Sequence, residues 1–402
     1  MDYLKFIVRE KRLLTFGISF TLISSFGQTF FVSLFVPSFL EYHSLSNAWF
    51  GSLYSGATLG SALLLPYVGK WIDQVPLRKY SLFVSFGLVV ACLTIAISWY
   101  LPILFLGLLL SRLFGQGLSG HTSKTTMARF FDSRRGKALS IASVGYPLGE
   151  GILPLMVTGL LSIFYWRWIW VGFALVILLL YTPGIQWLIK NSSLVNETEK
   201  KALKNKKEAP TTRHAYATVL KDYRFWCVLP TLIAPPFWGT ALFLYQISIA
   251  EQFGWTTTLI ASAFFFFAVA RVLSSLTIGP LIDRFTAERL FPFYLTPFLL
   301  SLIVVYLPFG DWSAFVYMAG IGITMGTAGN VNSALWAEWY GTEIIGTIRS
   351  LFASLMVIST AASPFIMGWL IDINVELSSI ILAAAISLIF AIAVSFLAWT
   401  KH

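Results

Sequence analysis

Apolar residues fall along the chain in long runs separated by short polar stretches. A helix needs about 20 apolar residues to cross a bilayer, and many of the runs reach or exceed that length. They predict twelve spans, at 13–40, 46–69, 79–99, 101–129, 136–162, 167–189, 223–249, 256–282, 287–308, 311–337, 344–371 and 376–400. An even number places both termini on one side. The first run is preceded by the basic Arg9–Arg12 stretch and shows no small-residue cleavage site. It is too long for a signal-peptide core, so it is expected to stay as the first span. One longer polar stretch, 190–222, is rich in Lys and interrupted by Pro210. It reads as a cytoplasmic linker with room for a short helix on the membrane surface. The domains expected are a six-span bundle at 1–189, the linker at 190–222 and a second six-span bundle at 223–402.

Composition agrees with this pattern. Only 11% of the 402 residues are charged and 57% are hydrophobic, against about 25% charged in soluble domains. The fold class is therefore an all-α integral membrane protein. The net charge of +10 is explained by topology rather than by nucleic acid. All but four of the 28 Lys and Arg fall in loops of one face; Arg167 alone falls on the other, and Arg112, Lys124 and Arg271 lie within spans. Cytoplasmic loops collect Lys and Arg, so the N- and C-termini are cytoplasmic. Cys92 and Cys227 sit in apolar runs, which suggests neither a disulfide framework nor a metal site. No cofactor is implied. The aromatic residues, 16% of the chain, read as mostly lipid-facing and interfacial. Trp166, Trp168 and Trp170 read as an interfacial belt, and Phe264–Phe267 as packing.

The two halves repeat. Gly69, Asp73, Gly136 and Pro154 recur as Gly279, Asp283, Gly346 and Pro364, all at an offset of 210 residues. Four matches at one offset indicate two parallel six-span repeats, a plan used by transporters.

On these residues the chain resembles the major facilitator superfamily over essentially its whole length. The stretch from Gly69 through Asp73 to Arg78 and Lys79 resembles the family's loop motif between spans 2 and 3. Gly279, Asp283 and Arg284 resemble its weaker copy between spans 8 and 9. Gln74 and Pro76 depart from the pattern. The resemblance implies that Gly69, Asp73, Arg78, Gly279, Asp283 and Arg284 gate the conformational change. A glycine there lets helices approach closely, and Asp pairs with an Arg or a helix N-terminus. Arg112, Gly115 and Gly117 resemble a span-4 pattern often found in proton-coupled members. The span-5 motif of drug antiporters is absent; Gly145, Gly149 and Glu150 stand there instead. Phe130, Phe131, Arg134, Arg135, Ala138, Ala142 and Gly145 resemble, loosely, the monocarboxylate and oxalate–formate branch.

In that architecture substrate sits near the midplane, so polar groups at mid-depth are the candidates. Counted from the basic residues Arg129, Arg134, Arg135 and Lys137, Arg112 and Glu150 each lie about 21–25 Å along their helices. Such charges are costly in hydrocarbon. Either they meet, as a permanent structural pair or as a proton-coupling pair with Glu150 as the proton site, or both face one aqueous cavity. Arg271 stands without a carboxylate at matching depth. A cavity-facing Arg can grip a carboxylate or phosphate with both arms of its guanidinium; the plainer alternative is bonding to backbone carbonyls at a broken helix. Gln28, His121, Tyr245, Gln246, Asn330 and Asn332 complete the substrate-binding candidates. On a regular helix His121 lies about 180° from Arg112, so the two cannot face one point.

The function expected is secondary active transport, by symport or antiport, of a small organic anion, with alternating access and proton coupling. The partners are that small molecule, protons and the lipid bilayer. No nucleic acid is expected, and the protein reads as a monomer. The location implied is a plasma membrane, which is the inner membrane in a bacterium. Proton-driven efflux of a drug or siderophore-like amphiphile is the alternative, and nitrate transport a further one. The acids near the interfaces, Asp73, Asp283, Glu338 and Glu343, are scattered, which argues against a membrane enzyme. A non-transporting receptor stays open.

Overall fold

The computed structural model describes residues 2–131, 135–190, 219–307, 310–340 and 345–399, and every regular element among them is a helix. Ten helices are long and apolar enough to cross a membrane. Lys11–Gly27 and Thr29–His43 together form another, bent by 50°. Asn47–Gly69, at 23 residues, is long enough but less apolar. With these as spans 1 and 2, the others are Leu77–Ala96, Leu101–Phe130, Lys137–Leu161, Trp166–Ile189, Tyr223–Leu244, Thr257–Phe285, Ala287–Val305, Trp312–Tyr340, Ile345–Asp372 and Leu377–Ala398, spans 3 to 12. The twelve-span architecture read from the apolar runs is the one found. Most of the expected linker, 191–218, lies outside the described residues.

The chain divides into two compact units. One is Met1–His43 with Gly56–Glu208; the other is Ser44–Ser55 with Ala209–His402. The outer end of span 2 thus packs in the second unit.

Side chains sort by face as lipid requires. Leu63, Leu180 and Leu276 are exposed on the outside of their helices. In the first unit, Phe31, Phe35 and Phe39 of span 1 stack against Trp166, Trp170 and Phe173 of span 6. The interfacial belt expected of three tryptophans is therefore corrected. Trp166 and Trp170 are buried, one helical turn apart on the inward face, and only Trp168 is exposed. The Phe264–Phe267 run divides the same way, with Phe264 and Phe267 buried and Phe265 and Phe266 exposed.

Proline is frequent inside the spans, at Pro66, Pro154, Pro230, Pro235, Pro236, Pro280 and Pro364. Spanning helices tolerate it because neighbouring groups re-satisfy the freed carbonyls.

Candidate functional site

In the first unit, span 1 breaks where its sequence weakens the helix. Ser24 turns its hydroxyl back to the Thr21 carbonyl at 2.6 Å, which competes with the helical ladder. Residues Ser24–Gly27 tighten to a 3-10 turn, and Gln28 is extended at φ −83° and ψ 151°. Carbonyls are left without helical donors.

Span 4 supplies donors. Its stretch Ser111–Ser119 is π-helical, with the Ser119 hydroxyl donating to the Phe114 carbonyl five residues back. There the Ser111 hydroxyl donates to the Phe26 carbonyl at 2.7 Å, and Arg112 Nη1 donates to the Gly27 carbonyl at 3.1 Å. The backbones approach closely at this crossing. A Cβ on Gly115 would lie 2.6 Å from the Gly27 amide nitrogen, so only glycine fits. Short π-helical segments inside α-helices recur at functional sites.

Span 5 closes the third side. A Cβ on Gly145 would strike Thr21 and the Ile18 carbonyl, and one on Gly149 would strike the Ser25 hydroxyl. This small-residue stripe brings Glu150 beside the break in span 1. Arg112 is 3% exposed and Glu150 is 7% exposed. Gln28, at the break itself, is half-buried. Gln28, Arg112 and Glu150 are thus gathered around one broken-helix crossing.

His121 lies elsewhere, with ring atoms 3.6 Å from where a Cβ of Gly69 would stand. Its expected 180° separation from Arg112 assumed a regular α-helix. The intervening π-helical residues have a wider turn, so that angle does not apply.

In the second unit the candidates spread out. Arg271 is half-buried, with its guanidinium carbon 6.0 Å from the Phe267 ring centre. Asn330 is exposed and donates to the Ser275 carbonyl at 3.1 Å, tying span 10 to span 8. Asn332 is buried in span 10, and the Tyr294 hydroxyl donates to the Thr231 carbonyl at 2.6 Å. Tyr245 is buried, with its hydroxyl in reach of the Asn47 and Pro364 carbonyls. Gln246 is buried at the start of the short helix Gln246–Gln252.

The expected gating residues differ in their settings. Arg78 Nε donates to the Gln186 side chain at 3.1 Å, tying the span 2–3 loop to span 6. Asp283 and Arg284 are exposed, with Arg284 stacked on Phe285. The side chain of Asp73 lies outside the described ones. Gly69 meets its neighbour at ordinary contact distance, and Gly279 has nothing within 4 Å among the described residues. Close helix approach occurs instead at Gly27 with Gly115, at Gly145 and Gly149, and at Gly322 and Gly326 against span 8. The loop glycines lie at the inner ends of their helices, past those crossings.

Sequence reasoning missed Ser111 and Gly27. The signals were Ser24, Ser25 and Gly27 in succession and the glycines after Arg112, which together weaken two helices at mid-depth.

Among the described residues, no group of three or more His, Cys, Asp or Glu is placed to hold a metal ion.

Spanning helices throughout the described residues define a polytopic membrane protein. The family model of the Major Facilitator Superfamily matches residues 18–245 and 231–402, and the chain belongs to that superfamily. No curated protein matches the sequence. Among solved structures, the nucleoside transporter NupG is similar with a TM-score of 0.71 at 13% identity, over 98% of this chain and 99% of that one. A bacterial homolog of the human lysosomal transporter Spinster, inward-facing and unoccupied, has a TM-score of 0.65 at 15% identity, over 98% and 99%. At these identities the likeness is one of fold.

Proposed function

We propose that this transporter moves a small, carboxylate-like organic anion by alternating access, coupled to protons. The observation that carries the reading is Arg112, a 3%-exposed guanidinium at the polar crossing of spans 1 and 4. An anion leaving water needs a positive partner, and guanidinium offers planar paired donors that match a carboxylate. Gln28 supplies a further polar contact at the same break. Arg271 is the second cation, in the other unit.

Glu150 is the proton site. It is buried beside the break in span 1, where Arg112 bonds the Gly27 carbonyl. Anion and proton are carried together. The loops at Gly69–Arg78 and Gly279–Arg284 limit the conformational change. The likeness of residues 130–145 to the monocarboxylate and oxalate–formate branch supports the same cargo class.

The test is thermal unfolding of the purified protein, with carboxylates, phosphate, nitrate, nucleosides and amphiphilic drugs each added at about pH 5.5 and 7.5. A bound ligand raises the melting point by mass action. A shift with carboxylates that Arg112→Ala removes supports the reading. A shift with nucleosides or amphiphiles and with no anion overturns it.

A further inference from the structure

The outer end of span 2 is held by residues far from it in sequence. Through Oδ1, the Asp372 carboxylate accepts from the backbone and side-chain amides of Asn47 at 3.0 and 3.2 Å. Through Oδ2 it accepts from the Ala48 amide at 2.7 Å. These are the first two backbone amides of span 2, which have no acceptor within their own helix. A carboxylate there gains from charge-assisted bonds and from the positive end of the helix dipole. Tyr245, at the end of span 7, places its hydroxyl 2.9 Å from the Asn47 carbonyl and 3.0 Å from the Pro364 carbonyl. The backbones touch between these ties. A Cβ on Gly51 would strike the Pro364 carbonyl, and one on Gly368 would strike the Asn47 carbonyl.

The repeat does not duplicate this arrangement. At the 210-residue offset, Ser162 answers Asp372, Phe35 answers Tyr245 and Thr257 answers Asn47. Ser162 bonds Gly159 in its own helix. Span 8 is capped locally, by the Thr256 hydroxyl accepting from the Leu259 amide. The long-range tie belongs to span 2 alone of the pair.

We propose that Asp372 and Tyr245 form a detachable clasp on the outer end of span 2, and that its release is a step in opening the transporter to the outside. The bonds are polar and lie at a helix end, where water can replace them. The backbone contact beneath is made by Gly51 and Gly368, which have no side chains to interlock. The inference rests on the transporter class and not on the anionic cargo.

Ser55 is buried one turn inward from Gly51, on the same helix face. The test places a cysteine there, as Ser55→Cys, after Cys92→Ser and Cys227→Ser. The rate of reaction with a membrane-impermeant maleimide added outside intact cells is then measured. Asp372→Ala is expected to speed labelling about tenfold, the factor that loss of one helix cap corresponds to, and Tyr245→Phe to speed it less. Unchanged labelling in both variants overturns the clasp. If Asp372→Ala fails to reach the membrane, Tyr245→Phe, which removes only a hydroxyl, decides in the same way. No substrate enters the measurement, so its outcome is independent of the cargo assignment.

Discussion

Spans 4 and 10 occupy the same place in the repeat, with Gly322 standing 210 residues after Arg112, yet they are packed by different means. Span 4 is π-helical at its middle and offers a hydroxyl and a guanidinium to the carbonyls of broken span 1. Span 10 runs as one 29-residue α-helix, Trp312–Tyr340. Its Gly322 and Gly326 press directly on the Phe267 and Arg271 carbonyls of span 8. The first crossing combines close backbone approach at Gly27 and Gly115 with side chains that bond backbone carbonyls. The second sets Gly322 and Gly326 against backbone carbonyls and the Ser274 hydroxyl, with Asn330 tying the two helices further along. A duplicated fold thus carries a buried guanidinium at one position and a glycine against a neighbouring backbone at the matching one.

The sharpest way to break this contrast is to substitute the two matching positions. Arg112→Ala should lower transport and anion binding on the order of 100-fold or more, because it removes one member of a buried charged set. The variant should still fold, at a lower Tm because the buried Gly27 carbonyl loses its donor, as checked by proteoliposome flux beside thermal unfolding. Gly322→Ala should lose stability because the new Cβ meets a carbonyl, and should keep its ligand binding. If Gly322→Ala abolishes binding at unchanged stability, the contrast is wrong.

A second set of glycines grades the packing. Gly115→Ala should cost about 1–3 kcal/mol through overpacking against span 1, read as a lower Tm. Gly279→Ala should be neutral or stabilising by up to about 1 kcal/mol, since alanine favours helix and the described surroundings are open.

Smaller effects are expected where the units differ at their inner ends. Glu338 accepts from the Ala287 and Glu288 amides at 2.7 and 3.0 Å, capping the start of span 9. Its repeat position is Ala128, and span 3 starts with no side-chain cap. Glu338→Ala should cost about 1–2 kcal/mol in thermal unfolding, whereas Ala128→Ser should change little.

The smallest effect concerns Asp222, which caps span 7, pairs with Arg224 at 3.0 Å and accepts from Tyr340 at 2.9 Å. Partial burial raises its pKa, but the bonds from Arg224 and Tyr340 and the Arg224 charge outweigh that and leave it below the ordinary value. A lowered carboxyl pKa means that the folded state favours the ionised form. Its contribution is therefore complete above the unfolded value of about 4 and is lost as pH falls below it. The Tm difference between wild type and Asp222→Asn should be constant near neutrality and should shrink only under acid. A difference that instead vanishes between about pH 6 and 8 would point to another group.

The linear pattern by itself determined the class. Apolar run lengths set twelve spans, the one-sided placement of Lys and Arg set the orientation, and the 210-residue offset exposed the repeat. Each is a local or additive property, since lipid demands that every spanning backbone satisfy its hydrogen bonds within its own helix. Arg112, Glu150 and Gln28 were also legible as candidates, because polar groups at mid-depth are costly and few. A meeting of Arg112 and Glu150 was one of the readings open in the sequence, but the crossing that gathers them with Gln28 was not legible. It depends on a break in span 1, a π-helical stretch in span 4 and a glycine stripe in span 5, each of which persists only because the others pack against it. The same holds for Trp166 and Trp170, whose ring partners on span 1 are more than 100 residues away in the chain. Asp372 is the extreme case, bonded to amides 325 and 324 residues away. A helix end shows in sequence that amides need acceptors; only the tertiary structure decides which carboxylate supplies them.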